Sequence, residues 1–270
     1  MKPPPFAYHR PGTRAEVDRL LADHGDEAKI LAGGQSLLPI MNMRLSAPEH
    51  VIDINALEDE PSQPHLEDGV VRFGPLVRQA AADRWARSEA DFPALEEALA
   101  YTAHPAIRSR GTVVGSIAHA DPAAELPAVL LALDGEVKAR SAAGTRTIPA
   151  RDFFLGALET ALRPTEWLEG VALPKGHDGA AVEEFAYRHG DYAICGVVAV
   201  ARPSGEVTLV HFGVSPLAIR TEVPDGRAET IREALADVEM TDDLHATAAY
   251  RRRLAEVLGV RAAARARQAG

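Results

Sequence analysis

Two short stretches combine glycine, small side chains and hydroxyls in the way a loop must to touch phosphate oxygens. They are Ala32-Gly33-Gly34-Gln35-Ser36 and Arg110-Gly111-Thr112-Val113-Val114-Gly115-Ser116, the second running on into Ile117-Ala118-His119-Ala120-Asp121-Pro122. Glycine permits positive φ and close approach of a ligand to the main chain, where backbone N–H groups can donate. Ser36, Thr112 and Ser116 add hydroxyls. A lone Gly-Gly-x-Ser reads as readily as a surface turn, since short glycine motifs are weak signals. Two such stretches suggest a diphosphate held from both sides, hence a dinucleotide. The second departs from G-x-G-x-x-G, so it is not a Rossmann fingerprint.

Other chemistry is thinner. His119, Asp121 and Glu125 have H-x-D-x-x-x-E spacing, which offers metal ligands, but Pro122 interrupts the run and no second histidine follows at i+4. Hydrogen bonds that stabilise the loop, or contacts to a ribose, compete with that reading, and no metal is expected. No G-x-S-x-G marks a nucleophile. Cys195 lies in Ile194-Cys195-Gly196-Val197, where a cysteine behaves as a small buried hydrophobe. As the only cysteine, it excludes an internal disulfide and any iron–sulfur cluster held wholly by this chain, which needs about four thiolates. No catalytic residue is assigned. With 29 Lys and Arg against 39 Asp and Glu, the formal charge of −10 repels nucleic acid and anionic lipid.

The elements that must position these loops can be read from pattern. Thr13 with Glu16 forms a capping box ahead of Val17, Leu20 and Leu21, with Gly25 as the stop. Ala28 to Leu31 reads as a strand feeding the first glycine loop. Leu37, Leu38, Ile40 and Met41 are expected to be buried, and Val51 to Ile54 is a further strand. Asp68-Gly69 signals a hairpin, Phe92 to Tyr101 a helix, and Glu125 to Leu133 a helix that tolerates Pro127 in its first turn. A hairpin is expected around Ala143-Gly144, and Val171 to Pro174 ends this part, with Lys175 to Gly179 as a linker. Strands at Val182 to Arg188, Ile194 to Ala201 and Val207 to Val214 predict a three-stranded antiparallel sheet, backed by helices at Gly226 to Ala236 and Leu244 to Arg267. The expected class is α+β, with units at residues 1–57, 58–175 and 176–270. At 270 residues and 46% hydrophobic content, the chain can bury a substantial core. No leader is apparent and no stretch approaches the ~18 apolar residues of a membrane span, so a cytoplasmic location is expected. Arg251, Arg252, Arg253, Arg261, Arg265 and Arg267 face a single acid, Glu256, on the last helix. They suit either an acidic partner or a solvated helix end.

The two glycine stretches, with Ile107 to Pro127 read as a whole, Asp152-Phe153-Phe154-Leu155-Gly156 and Phe185 to Tyr192, resemble the FAD-binding medium subunit of the molybdenum hydroxylases. Carbon monoxide dehydrogenase and the xanthine dehydrogenases belong to that family. The resemblance implies two α/β lobes of the vanillyl-alcohol-oxidase type around an extended, non-covalent FAD, with a C-terminal domain completing the site. It assigns Ala32, Gly33, Gly34, Gln35 and Ser36, together with Thr112, Val113, Val114, Gly115 and Ser116, to the pyrophosphate. It further assigns Glu125 to the sugar region, Tyr192 to the isoalloxazine and Leu168 to packing on flavin or adenine. The family's second loop commonly reads T-x-G-G; Val114 replaces the first glycine, which implies an extended residue there or a looser phosphate grip. The implied activity is electron transfer from [2Fe-2S] clusters on a small subunit to an external acceptor, with molybdopterin on a large subunit, in a dimer of heterotrimers. A free-standing flavin oxidase or reductase, or a non-redox nucleotide-binding assembly subunit, are the alternatives.

Overall fold

The computed structural model describes residues 2–58, 60–175 and 179–269. The expected linker includes residues 176–178, which lie outside the described residues. The chain begins with β1 (Ala7–His9), α1 (Arg14–His24), β2 (Ala28–Leu31), α2 (Leu37–Asn42) and β3 (His50–Asp53). The three strands form a parallel sheet in the order β1-β3-β2. α1 starts as its sequence dictates: the Thr13 hydroxyl accepts from Glu16 N, while the Glu16 carboxylate accepts from Thr13 N. Such caps contribute about 1 kcal/mol. Gly25, at φ 50°, closes the helix.

The middle of the chain supplies β4 (His65–Glu67), β5 (Val70–Phe73), α3 (Gln79–Ala86), α4 (Pro93–Tyr101), α5 (Pro105–Arg108), α6 (Val113–His119) and α7 (Glu125–Ala132). It continues with β6 (Glu136–Ser141), β7 (Gly144–Pro149), α8 (Ala150–Phe153), β8 (Phe154–Gly156), β9 (Glu159–Thr160) and β10 (Trp167–Pro174). Asp68 and Gly69, both at positive φ, turn β4 into β5. β10 is the middle strand of an antiparallel sheet ordered β4-β5-β10-β6-β7. Trp167, at its start, packs with Val17, Leu21, Ile52 and Ile54, and its indole N–H donates to buried Asp18 at 2.9 Å. The N-terminal sheet therefore shares its core with the second sheet.

The remainder folds as β11 (Gly179–Phe185), β12 (Cys195–Ala201), β13 (Val207–Phe212), β14 (Ile219–Val223), α9 (Ala228–Ala234) and α10 (Ala248–Ala269). The four strands make an antiparallel meander, correcting the expected three. β14 escapes pattern reading because it is an edge strand with charges in its middle: Arg220 pairs with Asp134 at 2.7 Å and with Glu222 at 2.8 Å. One face of this sheet, with Val198, Val200, Val210 and Phe212, joins the core of α4 and α7; the other packs on α10 through Ala255, Leu258 and Ala262.

α10 spends several of its arginines on contacts within the chain. Arg251 is buried and donates to Ile194 O and Asp243, Arg252 to Leu235 O and Val238 O, Arg265 to Glu97 and Glu183, and Arg267 to Asp225 O. These side chains tie the helix to β11, to the segments flanking α9 and, through Glu97, to α4 in the middle of the chain. Arg253, which lies 3.5 Å from Glu256, and Arg261 remain exposed. Among the described residues, no helix is long and apolar enough to cross a membrane.

Candidate cofactor cleft

Both glycine stretches sit where a strand or loop delivers the chain into a short helix. Ala32 to Ser36 connects β2 to α2, and Gly111 leads into α6. The two meet back to back. A Cβ on Gly33 would lie 2.5 Å from Arg110 O and 2.7 Å from the Gly111 Cα, so this glycine is required by the approach of the second loop. Gly34 adopts φ +70°, a left-handed conformation costly for other residues. Among the described residues, no protein acceptor takes the N–H groups of Gly34, Gln35 or Ser36. The Ser36 hydroxyl is likewise not spent on capping α2.

The second stretch is only partly a loop. Thr112 is the N-cap of α6, its Oγ1 accepting from Gly115 N at 2.9 Å, and Val113 to Ser116 are helical. A Cβ on Gly115 would come within 2.6 Å of that oxygen, so the glycine lets the cap close. Val114 is therefore neither extended nor at positive φ; it is helical and buried in the main core. The sequence missed this because glycine and β-branched valine both argue against a helix, whereas a Thr cap and core burial override those weak preferences.

A second set of contacts locks the loops together. Asn55 donates from Nδ2 to Ala32 O at 2.8 Å, and Arg78 donates both to Asn55 Oδ1 and to Arg110 O. Gln79 N donates to Gly111 O at 2.8 Å, and Val113 N to Val77 O at 3.1 Å. Asp53-Ile54-Asn55 after a strand carries an Asx-turn signal, and Asn55 N does donate to Asp53 Oδ1. Nothing local marks Arg78, which acts over 32 residues in sequence.

The loops open onto one cleft of about 740 Å³. Every candidate named from the sequence lines it except Val113, which is fully buried in the core beneath. Leu37 and Ile40, expected to be buried in a core, line the cleft instead; Leu38 is 40% exposed, and only Met41 of that group is buried. Leu168 contributes an apolar wall from β10 beside an irregularity in the ladder. Tyr192 lines the cleft yet is 68% exposed, an aromatic ring largely unused by its own chain. His119 and Asp121 also line it; burial lowers the His119 pKa, while Asp121 opposes that shift.

Glu125 begins α7 and is 7% exposed. Burial pushes its pKa up to about 7, a shift that Asp121 adds to and that its own backbone N–H, Thr102 and Arg108 resist. Glu184 is raised further, to about 8, by burial and then by the charge of Glu125. Cys195 is buried and its thiol is pushed up to about 12, in keeping with an inert hydrophobe. His119, Asp121 and Glu125 are not among the groups of three that bring ligand atoms within 4.8 Å of one another in the described residues.

The donor set suits an elongated anionic ligand: main-chain N–H groups and hydroxyls in the middle, apolar and aromatic walls beyond. Residues 4–176 match the family described as "FAD binding domain in molybdopterin dehydrogenase". The chain is 38% identical over 275 residues to the nicotine 6-hydroxylase medium subunit of Paenarthrobacter nicotinovorans, covering 96% of each. It is 44% identical over 204 residues to subunit alpha of the 6-hydroxypseudooxynicotine dehydrogenase complex of the same organism, covering 74% of this chain and 68% of that one. Among solved structures, a chain of carbon monoxide dehydrogenase from Hydrogenophaga pseudoflava superposes with a TM-score of 0.91 at 33% identity, covering 100% of this chain and 99% of its own.

Proposed function

The chain belongs to the FAD-binding family of molybdopterin dehydrogenases and is a medium subunit of a molybdenum hydroxylase, an oxidoreductase component with an electron-transfer role; from that premise we propose which residues hold the cofactor and how the complex divides its work. The carrying observation is the meeting of the two glycine stretches at Gly33 and Gly111 over a single cleft. Backbone N–H groups of Ala32 to Ser36, with the hydroxyls of Ser36, Thr112 and Ser116, hold the pyrophosphate. Glu125 contacts the sugar region, Leu168 packs on a ring, and Tyr192 covers the isoalloxazine. Val113 supports α6 from the core, and Val114 does so while reaching the cleft wall. The fold is of the vanillyl-alcohol-oxidase type, with units at residues 1–57, 58–175 and 176–270. Bound FAD supplies the redox chemistry; the protein orients the ring and tunes its potential through polar contacts.

Molybdopterin resides on a large subunit and the [2Fe-2S] clusters on a small one, assembled as a dimer of heterotrimers in the cytoplasm. The lone buried cysteine supports that division. The relatives' names span nicotine and carbon monoxide, so substrate choice lies outside this subunit. Expression alone should give a yellow protein that releases FAD on acid denaturation and is bleached by dithionite, yet turns over no hydroxylase substrate until the large and small subunits are co-expressed. Turnover by this chain alone at the rate of the complex would refute the assignment and favour a free-standing oxidase.

A further inference from the structure

Away from the cleft, three imidazoles from three elements converge. His50 opens β3 opposite Ala7, and His9, two residues beyond Ala7, shares that face of β1. His24 ends α1. The His24 and His50 rings stack with centroids 3.6 Å apart, and the His9 ring lies 5.2 Å from His50 and 5.5 Å from His24. His9 Nε2 and His50 Nδ1 are 2.9 Å apart, and one ring nitrogen from each of the three lies within 4.8 Å of the others. None of the three lines the cleft.

We propose that His9, His24 and His50 form a three-nitrogen site for one divalent transition-metal ion of the zinc class, with water completing its coordination. Imidazole is a preferred ligand for zinc, copper and nickel. Zinc–nitrogen bonds of about 2.0–2.1 Å set neighbouring ligand nitrogens about 3.3 Å apart in a tetrahedron, which a swing of the His24 ring off its stack provides. All three rings are half-buried, which limits competition from water. Glu27 and Glu49 bring carboxylates near His50, but both are exposed; they offset the ion's charge and do not define the site. One ion would pin β1, β3 and the end of α1. Gly25 and Asp26, which follow His24, line the cleft, so that wall would stiffen with it.

The probe is Zn2+ titrated calorimetrically into the EDTA-treated full-length chain, against the triple variant in which all three residues are glutamine. One saturable site is expected, with affinity reduced at least about tenfold in each of His9→Gln, His24→Gln and His50→Gln. Glu27→Gln and Glu49→Gln are expected to change it by less than about threefold, as screened surface charges do. Because His50 sits in the central strand and its variant can misfold, carbethoxylation of the unmodified chain gives an independent readout. Stoichiometric Zn2+ should protect His9, His24 and His50 while leaving the exposed His65 and His104 reactive. The proposal is overturned by any of four results: no saturable binding; binding that survives in the triple variant; binding lost with either glutamate but kept in His9→Gln; or equal protection of His65 and His104.

Discussion

Replacing Gly33 with alanine places a Cβ 2.5 Å from Arg110 O and 2.7 Å from the Gly111 Cα. Both are main-chain atoms, and Arg110 O is held by Arg78, so neither can rotate away as a side-chain tip would. Carbon contacts settle near about 3.5–4.0 Å, so the loops must part by about 1 Å. Overpacking of this kind costs about 1–3 kcal/mol. If FAD binding requires the loops to close, that strain appears as a loss of affinity of about 5- to 150-fold, at about 1.4 kcal/mol per factor of ten. The assay is fluorescence quenching of FAD by deflavinated chain, paired with urea unfolding to separate affinity from global stability. Gly144→Ala is the control: its φ of +125° makes alanine strained, but nothing lies within 4 Å and the residue is outside the cleft. It should lower stability and leave FAD affinity alone. If Gly33→Ala binds FAD within about twofold of the parent, under about 0.5 kcal/mol, the meeting of the loops does not set the grip and the argument fails.

Three further outcomes follow from the same geometry. Arg78→Ala breaks the link between Asn55 and Arg110 O and should weaken FAD retention on gel filtration by roughly tenfold, since hydrogen bonds from charged donors contribute about 1.5–3 kcal/mol; unchanged retention would remove Arg78 from the site. Val114→Gly removes a buried helical side chain, so it should lower the unfolding free energy by about 2–3 kcal/mol, almost all of it from lost burial with a few tenths from helix propensity, and an unchanged urea midpoint would contradict a helical, buried Val114. Glu125 has its folded pKa raised to about 7 from 4.5, so its protonated form stabilises the fold fully below pH 4.5 and that contribution, about 3 kcal/mol, is lost as pH rises through 7. In deflavinated Glu125→Gln the decline of stability between pH 5 and 8 should shrink to the part that Glu184 retains, whereas a decline as steep as the parent's would show that Glu125 does not carry the buried proton.

What was legible in the sequence was local. The Thr13 and Glu16 capping box, the Asp68-Gly69 turn and the turn at Gly33-Gly34 each declare themselves within a few residues, and each is a cap or turn in the fold, whereas the second glycine stretch is largely helical. The misreadings came from distance and from competing preferences. Arg78, Asn55 and Trp167 act across sheets and between segments far apart in the chain, so no spacing announces them. β14 looks like a polar connection because its charges are neutralised by Asp134, far back in the chain. Leu37 and Ile40 look like core residues because an apolar cleft wall and an apolar core wall have the same composition.

The manner in which the loops are joined also explains how Val114 fits in the second glycine stretch. A pyrophosphate grip built from side chains would demand particular residues at each position. Here the approach is set by main-chain contacts: Gly33 against Arg110 and Gly111, Gln79 N to Gly111 O, Val113 N to Val77 O. Glycine is required where a Cβ would strike backbone or the Thr112 cap, as at Gly33 and Gly115, and where φ is positive, as at Gly34. At position 114 the backbone is helical and the side chain is buried, so valine adds core contacts at the base of the cleft. The loops are consequently preorganised by the protein before a ligand arrives, and the binding free energy is not spent on ordering them.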